Sequence, residues 1–178
     1  MLLSTTRRGA LLAMSLMATL SAFFSSKARS GGGVVAITST SPDVLVELSE
    51  QASLGRAFVR RYVGEKASYT GVEIDEAIVA WRSSADPAKE SAELVVERVG
   101  AFFGACLNDK LALEWAVYRD ARGNDLCVVH KSSSVFGFPH SAIYKAAVQG
   151  RAGALAGVEA ALAGQLAEAA KDQRVMSR

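Results

Sequence analysis

Residues 111–130 decide the fold class, and they read LALEWAVYRDARGNDLCVVH. Apolar side chains occupy every second position at the start of this stretch, at Leu111, Leu113, Trp115 and Val117. Such alternation predicts a β-strand. Turn-forming residues at 120–125 and a second apolar run at 126–130 complete the pattern of a β-hairpin.

Helical patterns lie on both sides of this hairpin. Apolar residues recur at helical spacing in five segments, which are residues 41–64, 71–81, 88–107, 141–149 and 152–170. Residues 135–138 predict a third short strand, which Pro139 ends. Helices and strands are segregated along the chain. We therefore expect an α+β fold, with N-terminal helices, a three-stranded antiparallel meander, and C-terminal helices packed on one sheet face.

Two glycines lie four residues apart in the third helical segment, at Gly100 and Gly104. A glycine in a helix interior costs about 1 kcal/mol relative to alanine. Residues at this spacing share a helix face, so the pair predicts a place where another element approaches the helix closely.

Composition and charge favour one globular domain. The chain has 178 residues, of which 50% are apolar and 21% are charged. Arg7, Arg8 and Lys27 are the only charged residues among the first 28, so the net charge is +2 for the whole chain and −1 for the remainder. A nearly neutral domain has no general attraction for nucleic acid, and we expect no nucleic-acid partner.

The first 28 residues have the order of an export signal. Arg7 and Arg8 precede an uncharged, apolar run over residues 9–26, and small residues before Ala28 permit cleavage after it. The segment resembles a twin-arginine signal, and the general secretory route is the alternative. An uncleaved anchor formed by residues 9–26 is a further alternative, and it would be the only membrane contact.

These patterns divide the chain into four parts. They are a signal peptide at residues 1–28, a linker at 29–40, a single α+β domain at 41–171 and a tail at 172–178. The expected location is periplasmic or otherwise extracytoplasmic, or secreted, because a signal peptide directs the chain out of the cytoplasm.

Short motifs between Ile74 and about Gly150 resemble a known bacterial family. They are Trp81, the glycine-bearing helix Val99–Gly104 with Leu107, Glu114–Trp115, Asp120, Gly123, Asp125–Leu126 and Phe138–Pro139, with Lys145 as a basic residue in the last helix. This stretch resembles the family called domain of unknown function 3806. The resemblance implies a small α+β domain, and it implies no reaction, cofactor or catalytic residue.

Four residues are candidates for ligand binding: Trp115, Asp120, Asp125 and His140. Trp115 in mid-strand is more simply a core anchor. Asp120 and Asp125 flank the hairpin turn and either bind a cation together with Asn124 or bond the turn's own backbone, and we favour the backbone role. We expect no metal and no cofactor, because zinc needs three or four ligands and the chain has two histidines.

His140 is also a candidate general base, but Ser141 beside it is more simply a helix cap than a nucleophile. Cys106 and Cys127 either pair in a disulfide or remain as two free buried thiols, and we favour free thiols. No catalytic residue is assigned.

The leading functional hypothesis is a non-catalytic exported domain that binds a protein or another component of the cell envelope. The alternative is a small envelope enzyme or ligand carrier whose pocket lies around His140 and Trp115 and is also lined by Trp81 and Tyr118.

Export can be tested on the protein recovered from the cells that produce it. We expect mass spectrometry to show a chain that begins at Arg29, because signal peptidase cleaves after Ala28. A mass that still contains residues 1–28 would instead support the anchor.

Overall fold

The computed structural model describes residues 36–176, and it confirms the α+β fold class. The predicted export segment with Arg7, Arg8 and Ala28 lies outside these residues. The elements in chain order are β1 (Ala36–Ser39), α1 (Pro42–Val63), α2 (Gly71–Ser83), α3 (Ala92–Leu111), β2 (Leu113–Asp120), β3 (Gly123–His130), β4 (Phe136–Gly137), α4 (Pro139–Ala147) and α5 (Ala154–Met176). None of the described helices is long and apolar enough to cross a bilayer.

The sheet has four antiparallel strands in the order β1-β2-β3-β4. The hairpin of β2 and β3 and the short β4 match the predicted meander. The fourth strand is β1, which pairs with β2 and places Thr38 opposite Val117. Residues 36–39 were predicted to belong to a linker. That boundary was wrong because β1 covers the otherwise open edge of β2, and a strand of four residues is too short to show a periodicity of its own.

The helix ends differ from the prediction at three places. α3 begins at Ala92 rather than Ala88, because the carboxylate of Asp86 accepts the Ala88 N–H in a turn and Ser91 caps the helix. α4 begins at Pro139, so Ser141 lies inside the helix and is not its cap. α5 continues to Met176, so residues 172–176 are helical rather than part of a tail.

The two sheet faces have different neighbours because side chains alternate along each strand. We call the side of Trp115, Val117 and Val128 the inner face, since the core lies there and Val128 is fully buried in it. α3 and α4 pack on this face, and α5 packs along the β4 edge. The outer face carries Tyr118 and Cys127, which alternate with the inner residues.

The two helix glycines contact aromatic rings, as their spacing predicted. A Cβ added to Gly104 would lie 2.1 Å from Cζ2 of Trp115, and one added to Gly100 would lie 2.4 Å from Cδ2 of His140. The two rings are themselves neighbours, with 5.8 Å between their centroids. Glycine at both positions therefore lets α3 approach the sheet and α4 more closely than a side chain would allow.

We expect Gly104→Ala to destabilise the protein by about 2 kcal/mol, because the new methyl group overlaps the Trp115 ring. Urea unfolding followed by circular dichroism measures the change. Gly164→Ala is the matched control, since a Cβ at Gly164 in α5 meets nothing within 4 Å. The control should gain up to about 1 kcal/mol from helix propensity. Equal effects at the two sites would contradict the packing argument.

Candidate binding site

Three aromatic side chains pack together on the outer face, and we call them the aromatic cluster. Tyr118 stacks on Phe136 with 5.6 Å between ring centroids, and Phe138 meets both rings edge-on at 5.2 Å and 5.7 Å. Each of the three side chains is only partly buried. Tyr118 stands on β2, while Phe136 and Phe138 are two residues apart at β4 and therefore point to the same side.

A surface cleft of about 390 Å³ lies beside the aromatic cluster. We call it the aromatic cleft. It lies between the cluster, the first turns of α4 and the side of α5. Its polar lining residues are Arg122, Asp125, Ser141, Lys145 and Gln165. Aromatic rings together with a few polar groups are a typical lining for a ligand site.

Asp125 is the most perturbed acid in this cleft. Burial raises the pKa of its carboxyl group to about 6, and the nearby Asp120 acts in the same direction. The Leu126 N–H, which donates to the carboxylate, only partly offsets this rise in pKa. A carboxyl group whose pKa is raised strongly by burial is more common at functional sites than elsewhere.

Asp120 does not join Asp125 in a cation site. Its carboxylate accepts the Arg122 N–H at 2.7 Å and contacts the Arg122 guanidinium at 3.0 Å, and the hydrogen bond from the Arg122 N–H is the main cause that lowers its pKa. For Asp120 these are the bonds of a tight turn. Within residues 36–176 no group of three or more potential metal ligands is found.

His140 and Trp115 lie together on the inner side of the sheet. His140 is 6% exposed, and burial lowers the pKa of its imidazole to about 4, against the effect of a hydrogen bond to the main chain of Glu97. The ring is therefore neutral at physiological pH. Its Nδ1 is buried and has no hydrogen-bond partner within the described chain, so the Glu97 contact belongs to Nε2.

The four residues predicted to line one pocket are separated. Trp115 and Tyr118 point to opposite faces of β2, because they are three positions apart and side chains alternate along a strand. Trp81 packs edge-on against Phe58 in the helical core and donates its indole N–H to the Glu90 carbonyl. Trp115 and His140 do adjoin each other, so half of the predicted set is brought together.

The remaining candidates have structural roles. His130 contacts the Ser133 hydroxyl through Nδ1 at 3.1 Å, but that hydroxyl also accepts the Val135 N–H and so closes a turn. Cys106 and Cys127 are free thiols, so the disulfide alternative is wrong. Cys106 lies on α3, whereas Cys127 points to the outer face, and the sheet separates them. Burial raises the pKa of both thiols to about 11.

Sequence reasoning missed Phe136, Phe138 and the cleft itself. Alternation in residues 135–138 placed the two phenylalanines on one side, and this signal was available. The contribution of α5 to the cleft was not, because a helix that packs along a sheet edge has no signature in local spacing.

The fold defines a small α+β domain with helices on one face of a four-stranded antiparallel sheet. Residues 78–157 match the model of the family described as a domain of unknown function (DUF3806). This segment contains α3, the hairpin, β4, α4 and the aromatic cluster. The resemblance derived from the sequence motifs is therefore confirmed for that part of the chain.

A crystal structure from Bacteroides thetaiotaomicron VPI-5482 is similar with a TM-score of 0.47 and 13% identity, over 71% of this chain and 46% of that chain. The present chain thus spans less than half the length of that protein. The comparison with curated proteins gave no match.

Asp125→Asn should stabilise the protein at pH 7 and not at pH 4. The folded-state pKa of about 6 lies above the ordinary value of 3.8 for this carboxyl group. The native state therefore binds more protons between these values, and stability falls as pH rises through this window. With allowance for the partial exposure of the carboxylate, we expect a gain of about 2 kcal/mol at pH 7.

Thermal unfolding at both pH values measures this difference. Asp172→Asn, an exposed acid on α5, is the control and should show the same small effect at both pH values. A pH-independent effect of Asp125→Asn would contradict the argument.

Proposed function

We propose that this chain is an exported bacterial protein whose folded domain is non-catalytic and binds a glycan of the cell envelope at the aromatic cluster. The observation that carries the proposal is the aromatic cleft, in which three partly exposed rings adjoin Asp125, Ser141, Lys145 and Gln165. A sugar ring has an apolar C–H face and hydroxyl groups around its edge. Aromatic rings pack against the apolar C–H face of a sugar, and these polar side chains form hydrogen bonds with its hydroxyl groups.

The dimensions of the site favour a glycan over a folded protein. A stable protein interface buries about 800 Å² on each partner, usually over a continuous patch. The aromatic cluster is compact and ends in a cleft of about 390 Å³, which is within the range of small-ligand sites. Such a cleft accommodates one or two sugar units at a time, and a polymer supplies many such units.

The chemistry of the described residues supports a binding role. His140 is buried and neutral, and the Ser133 hydroxyl is used in a turn with His130. The raised pKa of Asp125 is the feature closest to that of a catalytic acid, but no second carboxylate lines the same cleft. Glycoside hydrolysis usually requires a pair of carboxylates.

Export is the part of the proposal that rests on sequence alone. It is supported by the arginine pair and the apolar run in residues 1–28, which lie outside the described residues. An envelope glycan would be accessible to the domain only if this segment directs the chain out of the cytoplasm.

Co-sedimentation with purified bacterial peptidoglycan tests the binding role. We expect the wild-type protein to sediment with the insoluble polymer, and the Tyr118→Ser and Phe136→Ser variants to bind at least tenfold more weakly. Loss of one stacking ring should cost about 1.4 kcal/mol of binding free energy, which corresponds to a tenfold change in Kd.

Val79→Ser is the matched control, because it removes a hydrophobic side chain of α2 that is 54% exposed and far in sequence from the cleft. It should bind like the wild type. Binding that is absent in the wild type, or equal in all four proteins, would overturn the glycan proposal. Retention of an envelope protein that depends on Tyr118 would replace the glycan with a protein partner.

A further inference from the structure

Two of the five described helices begin without a side-chain cap. α2 has a complete capping box between Thr70 and Glu73, and Ser91 caps α3. α5 is capped from a distance by Asp75, whose carboxylate accepts the N–H groups of Leu155 and Ala156. By contrast, neither Ser41 before α1 nor Phe138 before α4 makes a cap bond, and both helices start with proline.

The two uncapped helix ends meet at a single cleft of about 330 Å³, which we call the helix-end cleft. Its walls are formed by Ser41, which precedes α1, by Val44 of α1 and by His140 of α4. Its floor is the inner face of the sheet where Thr38, Val117 and Leu126 form one cross-strand row. Helix N-termini carry partial positive charge, so two of them at one cleft favour an anion.

Two buried polar atoms at this cleft have no hydrogen-bond partner among the described residues. They are Oγ1 of Thr40 and Nδ1 of His140, on side chains that are 9% and 6% exposed. Leaving such an atom unpaired destabilises the folded state, because the atom loses its hydrogen bond to water. Both residues line the helix-end cleft.

The contacts of the His140 ring leave Nδ1 without a hydrogen-bond partner among the described residues. Its Cδ2 edge faces Gly100 of α3, and Nε2 on the same side contacts the Glu97 main chain. Nδ1 lies on the opposite edge. In a neutral ring whose Nε2 carries the proton, Nδ1 accepts a hydrogen bond, so it matches a donor group on a ligand.

The charges at the rim agree with an anionic ligand. Arg119 lines the cleft from β2, and no ion pair of its guanidinium is found within residues 36–176. Asn124 lies opposite it on β3. Asp125 also borders the cleft, but its side chain alternates to the outer face. Asp43 in the first turn of α1 is exposed and is not part of the lining.

We infer that the helix-end cleft binds a small carboxylate that also carries a hydroxyl or amino donor. The carboxylate contacts the first-turn N–H groups and Arg119. The donor group of the ligand binds Nδ1 of His140, and the Thr40 hydroxyl binds a ligand oxygen. This site is distinct from the aromatic cleft, because Asp125 is the one lining residue that the two clefts share, and it does not depend on the proposed glycan binding.

Thermal shift and titration calorimetry with lactate, propionate and phosphate test this inference. Lactate and propionate have the same charge and carbon skeleton, but propionate lacks the hydroxyl donor. We expect lactate to bind at least fivefold more tightly than propionate. At ten times its Kd it should raise the Tm by about 3 °C. A shift with phosphate and none with lactate would overturn the assignment of a carboxylate.

Two variants separate the site from general salt effects. Arg119→Gln should weaken lactate and propionate alike by about tenfold. Thr40→Val should raise the Tm without ligand, because it removes an unpaired buried hydroxyl, and should reduce the lactate shift. Arg151→Gln, an exposed arginine before α5, is the control and should leave both unchanged. Equal shifts for all ligands, or shifts that persist in Arg119→Gln, would overturn the inference.

Discussion

The rest of the structure depends on the close approach of α3 to two aromatic rings. Gly104 lies against Trp115 of the sheet, and Gly100 lies against His140 of α4. One helix face thus holds the hairpin and the following helix at fixed distances, without a side chain between them. Because α4 starts directly after Phe138, the same contact also sets where β4 ends and where the aromatic cluster stands. Packing of this kind tolerates little change in volume.

Two ionisable groups near this contact, the buried His140 and the partly buried Asp125, have pKa values shifted because burial disfavours their charged forms. Burial lowers the pKa of His140 and raises that of Asp125. Each side chain therefore reduces the stability of the folded protein when it is charged. Neither has a charged partner that offsets the cost. Proteins retain such groups where function selects for them at some expense of stability. Their positions on opposite faces of the sheet are consistent with two separate surfaces under selection.

The order of the elements was predictable because periodicity is a local property. Alternation over Leu113–Val117 identified β2, although Leu111, also predicted to be in this strand, is the last residue of α3. The glycine spacing in α3 indicated a close contact before its partners were known. β1 was missed as part of the sheet, since its pairing with β2 joins segments about 80 residues apart. The same limit applies to the clefts, because Arg119, His140 and Thr40 come together only through tertiary packing. Asp120 and Asp125 looked alike in the sequence, and only burial and turn geometry distinguish them.

The position of β1 also limits how far the domain extends from the N-terminal segment that is predicted to direct export. Only residues 29–35 separate Ala28 from the first residue of the sheet. Even a fully extended chain of that length spans no more than about 28 Å between Ala28 and Ala36. This distance is less than the width of a domain of this size. If the segment before Ala28 stays in a bilayer, the edge strand is held near the membrane surface, and the domain has a preferred orientation toward it.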